Sequence, residues 1–333
     1  MKKIRVAFMR LCDAAPLIVA RSLGSCSEQR LRVEFVPLRS WAEVRDRLIV
    51  GDVHAAHCLA GIPIAAQAGL FGPQAQLATA FTLNHFGNAI TLAAPLAEML
   101  RASPARFVQH VRRRRDAGRP LVLASVFPVS KHEYELRHWL AGLGLDPGSD
   151  MRLVVVPPPD TAAALRSQRI DGYCVGEPWN TRAIVEGRGE AVATSASLAL
   201  PGTEKVLAVR EEFLDSDEHA ALLRAVARAS DWLSDPANRE ATVEQVAPYI
   251  GRPLAELRPA LTGQFRARRD GAEPDARTFV RFDRGIHCPD TAHARWYLEQ
   301  MQAAGQLDRH APLAAIAARA FRADRFEALL RQS

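Results

Sequence analysis

The stretch that decides the fold is VVVPPPDTAAALRSQRIDGYCVGEPWN, residues 154–180. It opens with three valines, and such a β-branched run is typical of a buried strand. Residues 161–168 predict a helix, which Asp160 can cap after the three prolines. Residues 172–175 predict a second buried strand. A strand, a helix and another strand in this order indicate one unit of an α/β fold.

The same alternation extends in both directions from this stretch as far as Arg210. Strands are predicted at 4–9, 32–38, 55–60, 77–81, 89–93, 121–125, 152–156, 172–175, 191–194 and 206–210. Helices are predicted at 15–23, 41–50, 63–68, 104–117, 131–142, 161–168 and 178–186. The pattern therefore predicts an α/β fold with mainly parallel strands, followed after Arg210 by helices alone.

Two of the predicted helices begin with a capping box, SWAE at 40–43 and SKHE at 130–133. In such a box the serine oxygen accepts a hydrogen bond from a free backbone N–H of the first turn. In a parallel α/β sheet these helix N-termini gather where the strands end, and ligands bind there. Helix N-termini favour anions. Two lobes of this type, facing each other, are therefore expected to enclose a small anion.

The composition allows two compact lobes and argues against direct binding of nucleic acid. The chain has 333 residues, is 48% hydrophobic, and carries 43 basic against 37 acidic residues, a formal charge of +6. No basic stretch is interleaved with aromatic residues, so the arginine run at 112–115 is expected to be a solvated helix face. Lysine is scarce and occurs only at positions 2, 3, 131 and 205.

The cysteines and the apolar runs bear on the compartment. The five cysteines are widely spaced and none forms a CxxC pair, so the sequence predicts neither a zinc site nor a disulfide framework. This usage fits a reducing compartment. No uninterrupted apolar run of about 18 residues is present, so we expect no membrane insertion.

Several motifs together carry a resemblance to a known family. They are VVVPPP at 154–159, DGYCVGEPWN at 171–180, DAAPLIVA at 13–20, SWAEVRD at 40–46, LNHFGNAI at 83–90 and EKVL at 204–207. The chain closely resembles the nitrate, nitrite and bicarbonate substrate-binding proteins of ABC transporters over roughly residues 4–250. The resemblance implies a periplasmic-binding-protein-like fold of type II, with two α/β lobes joined by a two-segment hinge and followed by C-terminal helices.

This implied fold sets the domain boundaries. Lobe 1 is expected at 1–85 plus 200–333, including the C-terminal helices, and lobe 2 at 86–199. The two hinge crossings are expected near 81–89 and 194–205. In the family the anion lies in the cleft between the lobes.

The resemblance also implies a set of ligand-binding residues. The family holds its anion with a tryptophan, an amide side chain, a histidine at a helix start and a lysine, which fall here on Trp41, Asn88, His132 and Lys205. Asn88 stands where relatives usually carry glutamine and is one methylene shorter. Gly87 lets the backbone approach the ligand closely. His85 is an additional candidate without a firm counterpart in the family.

The chemistry of these residues agrees with the resemblance. Nitrate and nitrite are planar, weakly basic anions, so their site needs hydrogen-bond donors and one compensating positive charge, here the ammonium of Lys205. Relatives that bind bicarbonate tend to have an acidic residue at this position, recruiting calcium, so a lysine weighs against bicarbonate and against a metal. By residue type alone, Trp41 would be a packing residue and His132 a surface or capping residue. Because their spacing along the chain reproduces that of the family's binding residues, we expect both to contact the ligand.

The N-terminus narrows the resemblance further. Transport members of the family normally carry a leader ahead of the first strand, whereas here MKKIRVAFMR runs directly into it. The chain thus resembles the cytoplasmic NasS-type nitrate/nitrite sensors. This resemblance implies an ANTAR-domain, NasT-type RNA-binding antiterminator as partner. The sensor holds that partner in the absence of ligand and releases it when the anion binds. The partner regulates nitrate assimilation genes.

Two other functions are open. One is the substrate-binding component of a nitrate/nitrite, bicarbonate or sulfonate ABC transporter. The other is an enzyme on the same fold, but the predicted cleft positions contain no nucleophile–base pair. We therefore expect no catalytic residue, no cofactor and no metal.

Overall fold

The computed structural model of the chain describes residues 1–73, 75–270 and 279–330. The strands are β1 (Lys2–Met9), β2 (Leu31–Leu38), β3 (Ala55–Leu59), β4 (Leu77–Phe86), β5 (Asn88–Ala93), β6 (Leu121–Ser125), β7 (Met151–Val155), β8 (Gly172–Gly176), β9 (Gly189–Thr194), β10 (Thr203–Arg210) and β11 (Val280–Arg281). The helices are α1 (Ala15–Ser22), α2 (Ser25–Glu28), α3 (Trp41–Ile49), α4 (Gly61–Gln67), α5 (Ala94–Ala102), α6 (Pro104–Asp116), α7 (Lys131–Gly142), α8 (Pro158–Arg166), α9 (Trp179–Val185), α10 (Asp217–Ser234), α11 (Arg239–Ile250), α12 (Leu254–Thr262), α13 (Thr291–Ala303), α14 (Leu313–Ala320) and α15 (Ala323–Leu330).

The chain divides into two compact units. Unit 1 comprises Met1–His85, Pro201–Arg252 and Val280–Ser333, and unit 2 comprises Phe86–Leu200 and Pro253–Phe279. The sequence prediction gave all of 200–333 to lobe 1. The structure differs there, because the described residues 253–270 and 279 belong with unit 2.

Packing explains this difference. Helix α12 packs on α9, and the backbone N–H of Ala191 in β9 donates a hydrogen bond to Ala267, at 2.7 Å. The ring of Phe265 stacks on Phe279, with centroids 4.2 Å apart. Strand counting could not detect the return to unit 2, because the described residues 253–270 contribute helix α12 followed by irregular chain and a turn.

Unit 1 is built on a six-stranded sheet in the order β11-β4-β10-β3-β1-β2. Strand β1 runs parallel to β2 and β3, whereas β10 runs antiparallel to both β3 and β4. The sheet is therefore mixed rather than mainly parallel. A helical crossover makes neighbouring strands parallel, but β10 enters from unit 2 and not through such a crossover.

Unit 2 has a five-stranded sheet in the order β7-β6-β8-β5-β9. Strand β6 runs parallel to β7 and β8, and β5 runs antiparallel to β8 and β9. This sheet is mixed too. Its core holds mostly aliphatic and aromatic side chains from the sheet and from α6 and α7, among them Leu92, Phe107, Leu123, Leu136 and Leu140.

Local signals predicted two helix starts and misplaced a third. The hydroxyls of Ser40 and Ser130 accept hydrogen bonds from Glu43 N and Glu133 N, each at 3.2 Å, so both capping boxes place the helix start as predicted. The prediction that Asp160 caps a helix is wrong. Helix α8 begins earlier, within the proline run, and has no side-chain cap. Proline is preorganised for the first turn and lacks the N–H that a cap would satisfy.

Three elements were missing from the prediction. Helix α2 is a single turn of four residues, Ser25–Glu28. Helix α5 follows β5 directly and has a proline in its first turn. Strand β11 shows that strands do not stop at Arg210. It contains two residues, too short for a recognisable alternation of apolar and polar positions.

Candidate functional site

The buried ammonium of Lys205 is the centre of a polar group in unit 1. Lys205 lies on β10 and is 0% exposed. Its Nζ is 2.9 Å from Asp13 Oδ2 and 2.7 Å from Glu204 Oε1. We call Asp13, Trp41, His57, Glu204 and Lys205 the Lys205 group. The prediction that this ammonium is the one charge compensating an anion needs correction, because two carboxylates already share it.

The charges of this group stabilise one another. Burial alone would raise the pKa of Asp13, but the Lys205 ammonium and His57 hold it well below the usual value for an aspartate. Burial alone would lower the pKa of Lys205, but Asp13 and Glu204 raise it above the usual value for a lysine. At neutral pH, Asp13 is therefore a carboxylate and Lys205 an ammonium ion.

His57 orients the Asp13 carboxylate. The backbone N–H of Met9 points at His57 Nδ1 at 3.4 Å, so this nitrogen accepts and carries no proton in the neutral ring. The ring proton is then on Nε2, which lies 3.0 Å from Asp13 Oδ1. Each oxygen of Asp13 thus lies close to a different nitrogen, Oδ1 to His57 Nε2 and Oδ2 to Lys205 Nζ.

Trp41 is the aromatic member of the Lys205 group. It is the first residue of α3, directly after the Ser40 cap, and is fully buried. Its ring centroid lies 5.5 Å from Lys205 Nζ, within cation–π range, and 5.6 Å from the centroid of the His57 ring. Within the described residues, no hydrogen-bond acceptor meets the buried Trp41 Nε1. Trp41 therefore offers an indole N–H donor beside a buried ammonium.

His85 contacts Thr203 and lies near His293 in unit 1. Its Nε2 lies 3.3 Å from Thr203 Oγ1, and that hydroxyl is 2.7 Å from His293 Nδ1. The rings of His85 and His293 are 5.5 Å apart, edge to face. His85 is thus part of a polar contact with Thr203 and His293 within unit 1.

In unit 2, Asn88 starts β5 directly after a glycine with a left-handed backbone. Gly87 has φ +100°, a conformation that a side chain strongly disfavours. The backbone N–H of Asn88 donates to Ser195 Oγ at 3.2 Å, and its side-chain Nδ2 donates to Glu135 Oε2 at 3.1 Å. One of the two amide hydrogens predicted to reach a ligand is therefore held by Glu135.

Asn88 also presents an acceptor. Its Oδ1 is buried and has no hydrogen-bond partner among residues 1–73, 75–270 and 279–330. Turning the amide over would put Oδ1 against the Glu135 carboxylate, and two acceptors repel. The contact with Glu135 therefore fixes which end of the amide is the donor.

Helix α7 carries the other buried polar residues that bear on the predicted site in unit 2. His132 is its second residue and is 1% exposed, and Lys131 precedes it. Lys131 Nζ lies 3.6 Å from Glu135 Oε1 and 5.3 Å from the centroid of the Phe86 ring. We call Asn88, Lys131 and Glu135 the Glu135 group, since the carboxylate joins Asn88 to Lys131. Of the predicted ligand residues, unit 1 therefore holds Trp41, His85 and Lys205, and unit 2 holds Gly87, Asn88 and His132.

The predicted ligand set omitted several members of the two groups. Asp13 and Glu204 lie inside the motifs DAAPLIVA and EKVL, and Lys131 was conspicuous because lysine is rare. His57 is a polar residue in the apolar run AAHCL, which indicates a buried hydrogen-bond partner. Glu135 gave no comparable signal.

The described residues show no arrangement suited to a metal. Within them, no cluster of three or more His, Cys, Asp or Glu side chains could hold an ion. The five cysteines are free thiols, four of them buried.

Comparison with known proteins decides the family. The profile of the NMT1-like family matches residues 1–247. The chain belongs to the NMT1-like family. This NMT1-like chain is also similar to named binding and transport proteins, so the resemblance to the nitrate-binding solute-binding proteins is confirmed.

Among its relatives, the nitrate/nitrite binding protein NrtA of Synechococcus elongatus is 30% identical over 313 residues, 90% of this chain and 71% of that protein. The nitrate import ATP-binding protein NrtC of Synechocystis is 29% identical over 91% of this chain and 46% of its own length. The bicarbonate transport ATP-binding protein CmpC of Synechocystis is 34% identical over 73% of this chain and 37% of its own length. The NMT1-like chain thus spans less than half of the latter two.

Solved structures confirm the fold. The periplasmic nitrate-binding protein NrtA from Synechocystis superposes with a TM-score of 0.91 at 24% identity, covering 99% of this chain and 88% of that one. The alkanesulfonate-binding protein SsuA from Xanthomonas axonopodis gives 0.68 at 15% identity, covering 94% and 97%. The NMT1-like chain therefore has the predicted two-lobed, periplasmic-binding-protein-like α/β fold. None of its described helices has the length and apolar character needed to cross a bilayer.

Proposed function

We propose that this chain binds nitrate or nitrite. The observation that carries the proposal is the buried Lys205 ammonium, 5.5 Å from the Trp41 ring, at two positions that the resemblance implies as ligands. The name of the NrtA relative, 30% identical over 90% of this chain, supports it. Gly87, Asn88 and His132, with His85 as an additional candidate, complete the proposed ligand set.

The Lys205 group suits a weakly basic anion that is held by donors rather than by net charge. Glu204 Oε1 accepts one hydrogen of the ammonium at 2.7 Å, and Asp13 Oδ2 lies 2.9 Å from the same nitrogen. A further hydrogen of the ammonium and the Trp41 indole N–H are the donors we assign to the anion. A donor buried without an acceptor is unfavourable, so an anion that accepts these hydrogen bonds is stabilised.

Calorimetric titration with nitrate, nitrite and bicarbonate tests the proposal. Trp41→Phe keeps an aromatic ring but removes the indole N–H, and we expect affinity for the preferred anion to fall about tenfold or more. Trp139→Phe, at a partly buried position packed against the core of unit 2, is the matched control and should bind as the wild type does. No binding of nitrate or nitrite by the wild type, or equal affinity after Trp41→Phe, contradicts the proposal.

We further propose that the chain is a cytoplasmic sensor. It would hold an ANTAR-domain, NasT-type antiterminator without ligand and release it when the anion binds. The resemblance to NasS-type sensors supports this role. Shifting the partner from 99% held to 99% released requires that the anion distinguish the two states by about 5.5 kcal/mol.

Reciprocal coupling tests the sensor role. If the anion weakens partner binding, the partner must weaken anion binding by the same factor. We expect a tagged chain to capture an ANTAR-domain protein from host cells grown without nitrate and to lose it when nitrate is added. Saturating the chain with that partner should then lower nitrate affinity. Capture that does not respond to nitrate contradicts the sensor role.

The second candidate is the substrate-binding component of an ABC importer. The names of the NrtC and CmpC relatives, an import and a transport ATP-binding protein, favour it. Fractionation of the native host separates the candidates. A sensor should be recovered with the cytoplasm, whereas an importer component should be recovered outside it or with the transporter in the membrane. All these relatives are named for binding or transport, and we propose no catalytic step.

A further inference from the structure

We propose that the hydroxyl of Ser125 is a further ligand of the anion, contributed by unit 2. Ser125 is the last residue of β6 and is 0% exposed. Its Oγ has no hydrogen-bond partner within residues 1–73, 75–270 and 279–330. A buried hydroxyl without a partner is unfavourable, so a ligand that accepts its hydrogen bond is stabilised. This inference rests on the proposed binding of nitrate or nitrite, and it adds a ligand that the resemblance does not imply.

The strand register places the Ser125 side chain on the same face of the sheet as Asn88. Ala124 pairs with Tyr173 in the parallel strands β6 and β8, so the residues that follow them, Ser125 and Cys174, both point to the other face. Cys174 in turn pairs with the residue two positions after Asn88 in β5. Because side chains alternate along a strand, Ser125, Cys174 and Asn88 share one face.

Packing agrees with the register. Leu123, two residues before Ser125, belongs with Cys174 to the core that α6 and α7 cover. Cys174 Sγ lies 3.5 Å from Glu135 Oε2, the oxygen that also accepts the side-chain hydrogen bond of Asn88. The face that carries Ser125 is therefore the face on which Asn88 and Glu135 meet.

Ser125 also lies at the end of the sheet where α/β folds bind ligands, outside the carboxyl ends of the parallel strands. It pairs with Val155, the last residue of β7, and Asn88 pairs with Gly176, the last residue of β8. The chain continues from Ser125 to the N-terminus of α7, which Ser130 caps. Since a helix N-terminus favours negative charge, this edge suits an anion.

The polar groups on this face leave a role for another donor. Glu135 Oε1 lies 3.6 Å from the Lys131 ammonium, so its charge is offset within unit 2. Glu135 also holds one of the two amide hydrogens of Asn88, which reduces what Asn88 can donate to a ligand. A serine hydroxyl rotates freely and can donate to an anion oxygen. Ser125 thus supplies a donor that Asn88 alone does not.

An internal water molecule is the other partner that a buried hydroxyl commonly binds. The position of Ser125 favours the anion, because ligands bind at this edge and the N-terminus of α7 favours negative charge. The two partners also lead to different behaviour of the ligand-free protein. Water satisfies the hydroxyl whether or not an anion is present, whereas a hydroxyl that binds the anion is unsatisfied until the anion arrives.

Calorimetric titration of the full chain with nitrate and nitrite tests the assignment. We expect Ser125→Ala to weaken binding of the preferred anion about tenfold, because one hydrogen bond to a charged ligand is lost. Ser230→Ala is the matched control. Ser230 lies on α10 of unit 1, is 0% exposed, and its Oγ has no hydrogen-bond partner in the part of the chain that the structure describes. This variant should bind the anion as the wild type does.

Urea denaturation without anion separates a binding role from a structural one. We expect Ser125→Ala to unfold at the same urea concentration as the wild type or at a higher one, because it removes an unsatisfied hydroxyl. Saturating nitrate should then shift unfolding less in Ser125→Ala than in the wild type, at one fixed nitrate concentration.

Three results overturn the assignment. They are equal affinity of Ser125→Ala and the wild type, an equal loss of affinity in Ser230→Ala, and a lower urea concentration at half-unfolding for ligand-free Ser125→Ala. The last result would mean that an internal water molecule already holds the hydroxyl. If the wild type itself binds neither nitrate nor nitrite, the proposed function is overturned, and this assignment with it.

Discussion

Lys205 has two roles that a binding experiment alone would confuse. Its ammonium is a proposed ligand for an anion, and it also pairs with two buried carboxylates, Asp13 and Glu204. Removing one partner of a buried ion pair leaves the other charge without compensation, which is strongly unfavourable. Loss of binding in a Lys205 variant is therefore meaningful only when its stability is measured as well.

We predict that Lys205→Met lowers the free energy of unfolding by about 3–5 kcal/mol at neutral pH, because Asp13 and Glu204 lose their cation. Urea denaturation measures the change. Lys2→Met is the matched control. Lys2 pairs with Glu218 at an exposed position, where solvent screens the pair, so its loss should change stability far less. Equal small effects in both variants would show that the buried ion pair is not required for stability.

Glu177 gives the protein a pH-dependent stability near neutrality. It is buried and accepts hydrogen bonds from Thr181 N at 3.2 and 3.3 Å. Burial raises its pKa from 4.5 to about 7. A folded-state pKa above the unfolded value means that the folded protein holds the proton more tightly. The resulting stabilisation is complete below about pH 4.5 and is lost as the pH rises through about 7.

The unfolding free energy of the wild type should fall by about 3 kcal/mol between roughly pH 4.5 and 8 because of Glu177. We predict that Glu177→Gln abolishes this fall. The amide stays neutral and keeps an acceptor for Thr181. Urea denaturation at several pH values across this range gives the slope of unfolding free energy against pH for the wild type and the variant. Glu186→Gln is the control, because ion pairing lowers the pKa of Glu186 despite partial burial, and its titration falls below this window. If wild type and Glu177→Gln have the same slope, Glu177 is ionised in the folded protein throughout.

At the level of single elements, the cap of α3 can be tested directly. Ser40 Oγ accepts the Glu43 N–H at 3.2 Å, and the helix starts at Trp41. We predict that Ser40→Ala lowers the free energy of unfolding by about 1 kcal/mol, because one N–H of the first turn loses its acceptor. Ser40→Asp supplies another acceptor and should stay within a few tenths of a kcal/mol of the wild type, measured by the same urea titration.

The elements also show why some features could be predicted and others could not. The caps at Ser40 and Ser130 depend on four consecutive residues, so their sequence contains the whole signal. The contacts of Lys205 with Asp13, and of Asn88 with Glu135, join elements that are far apart along the chain. Residue types and family resemblance placed Trp41 beside Lys205, but no local pattern could indicate which carboxylates would meet the ammonium.

At the scale of the whole molecule, the return of the chain to unit 2 is the largest departure from the prediction. The two-lobed fold followed from a resemblance that covers the family motifs, and it is confirmed. The segment 253–270 follows the last of those motifs, which ends at residue 207. Its place depends on Phe265 and Ala267, whose partners Phe279 and Ala191 are identified only by the folded structure.

We predict that Phe265→Ala destabilises unit 2 selectively, by about 3–5 kcal/mol, because it removes a fully buried ring. Hydrogen exchange should show faster exchange at the Ala191 amide, which donates to Ala267, and unchanged exchange in β1 of unit 1. Phe321→Ala removes a buried ring of unit 1 and should give the opposite pattern. Similar acceleration in both units after either change would mean that they unfold together.

The placement of the few lysines makes a lysine-specific protease a local probe of unfolding. Lys2 and Lys3 are exposed at the N-terminal end, whereas Lys131 and Lys205 are buried, one in each unit. A protease that cleaves only after lysine can therefore cut the interior of the chain only when a unit opens. The 4–131 fragment reports the opening of unit 2, and the 206–333 fragment reports that of unit 1. When opening is fast relative to cleavage, the rate at which each appears follows the population of that open form.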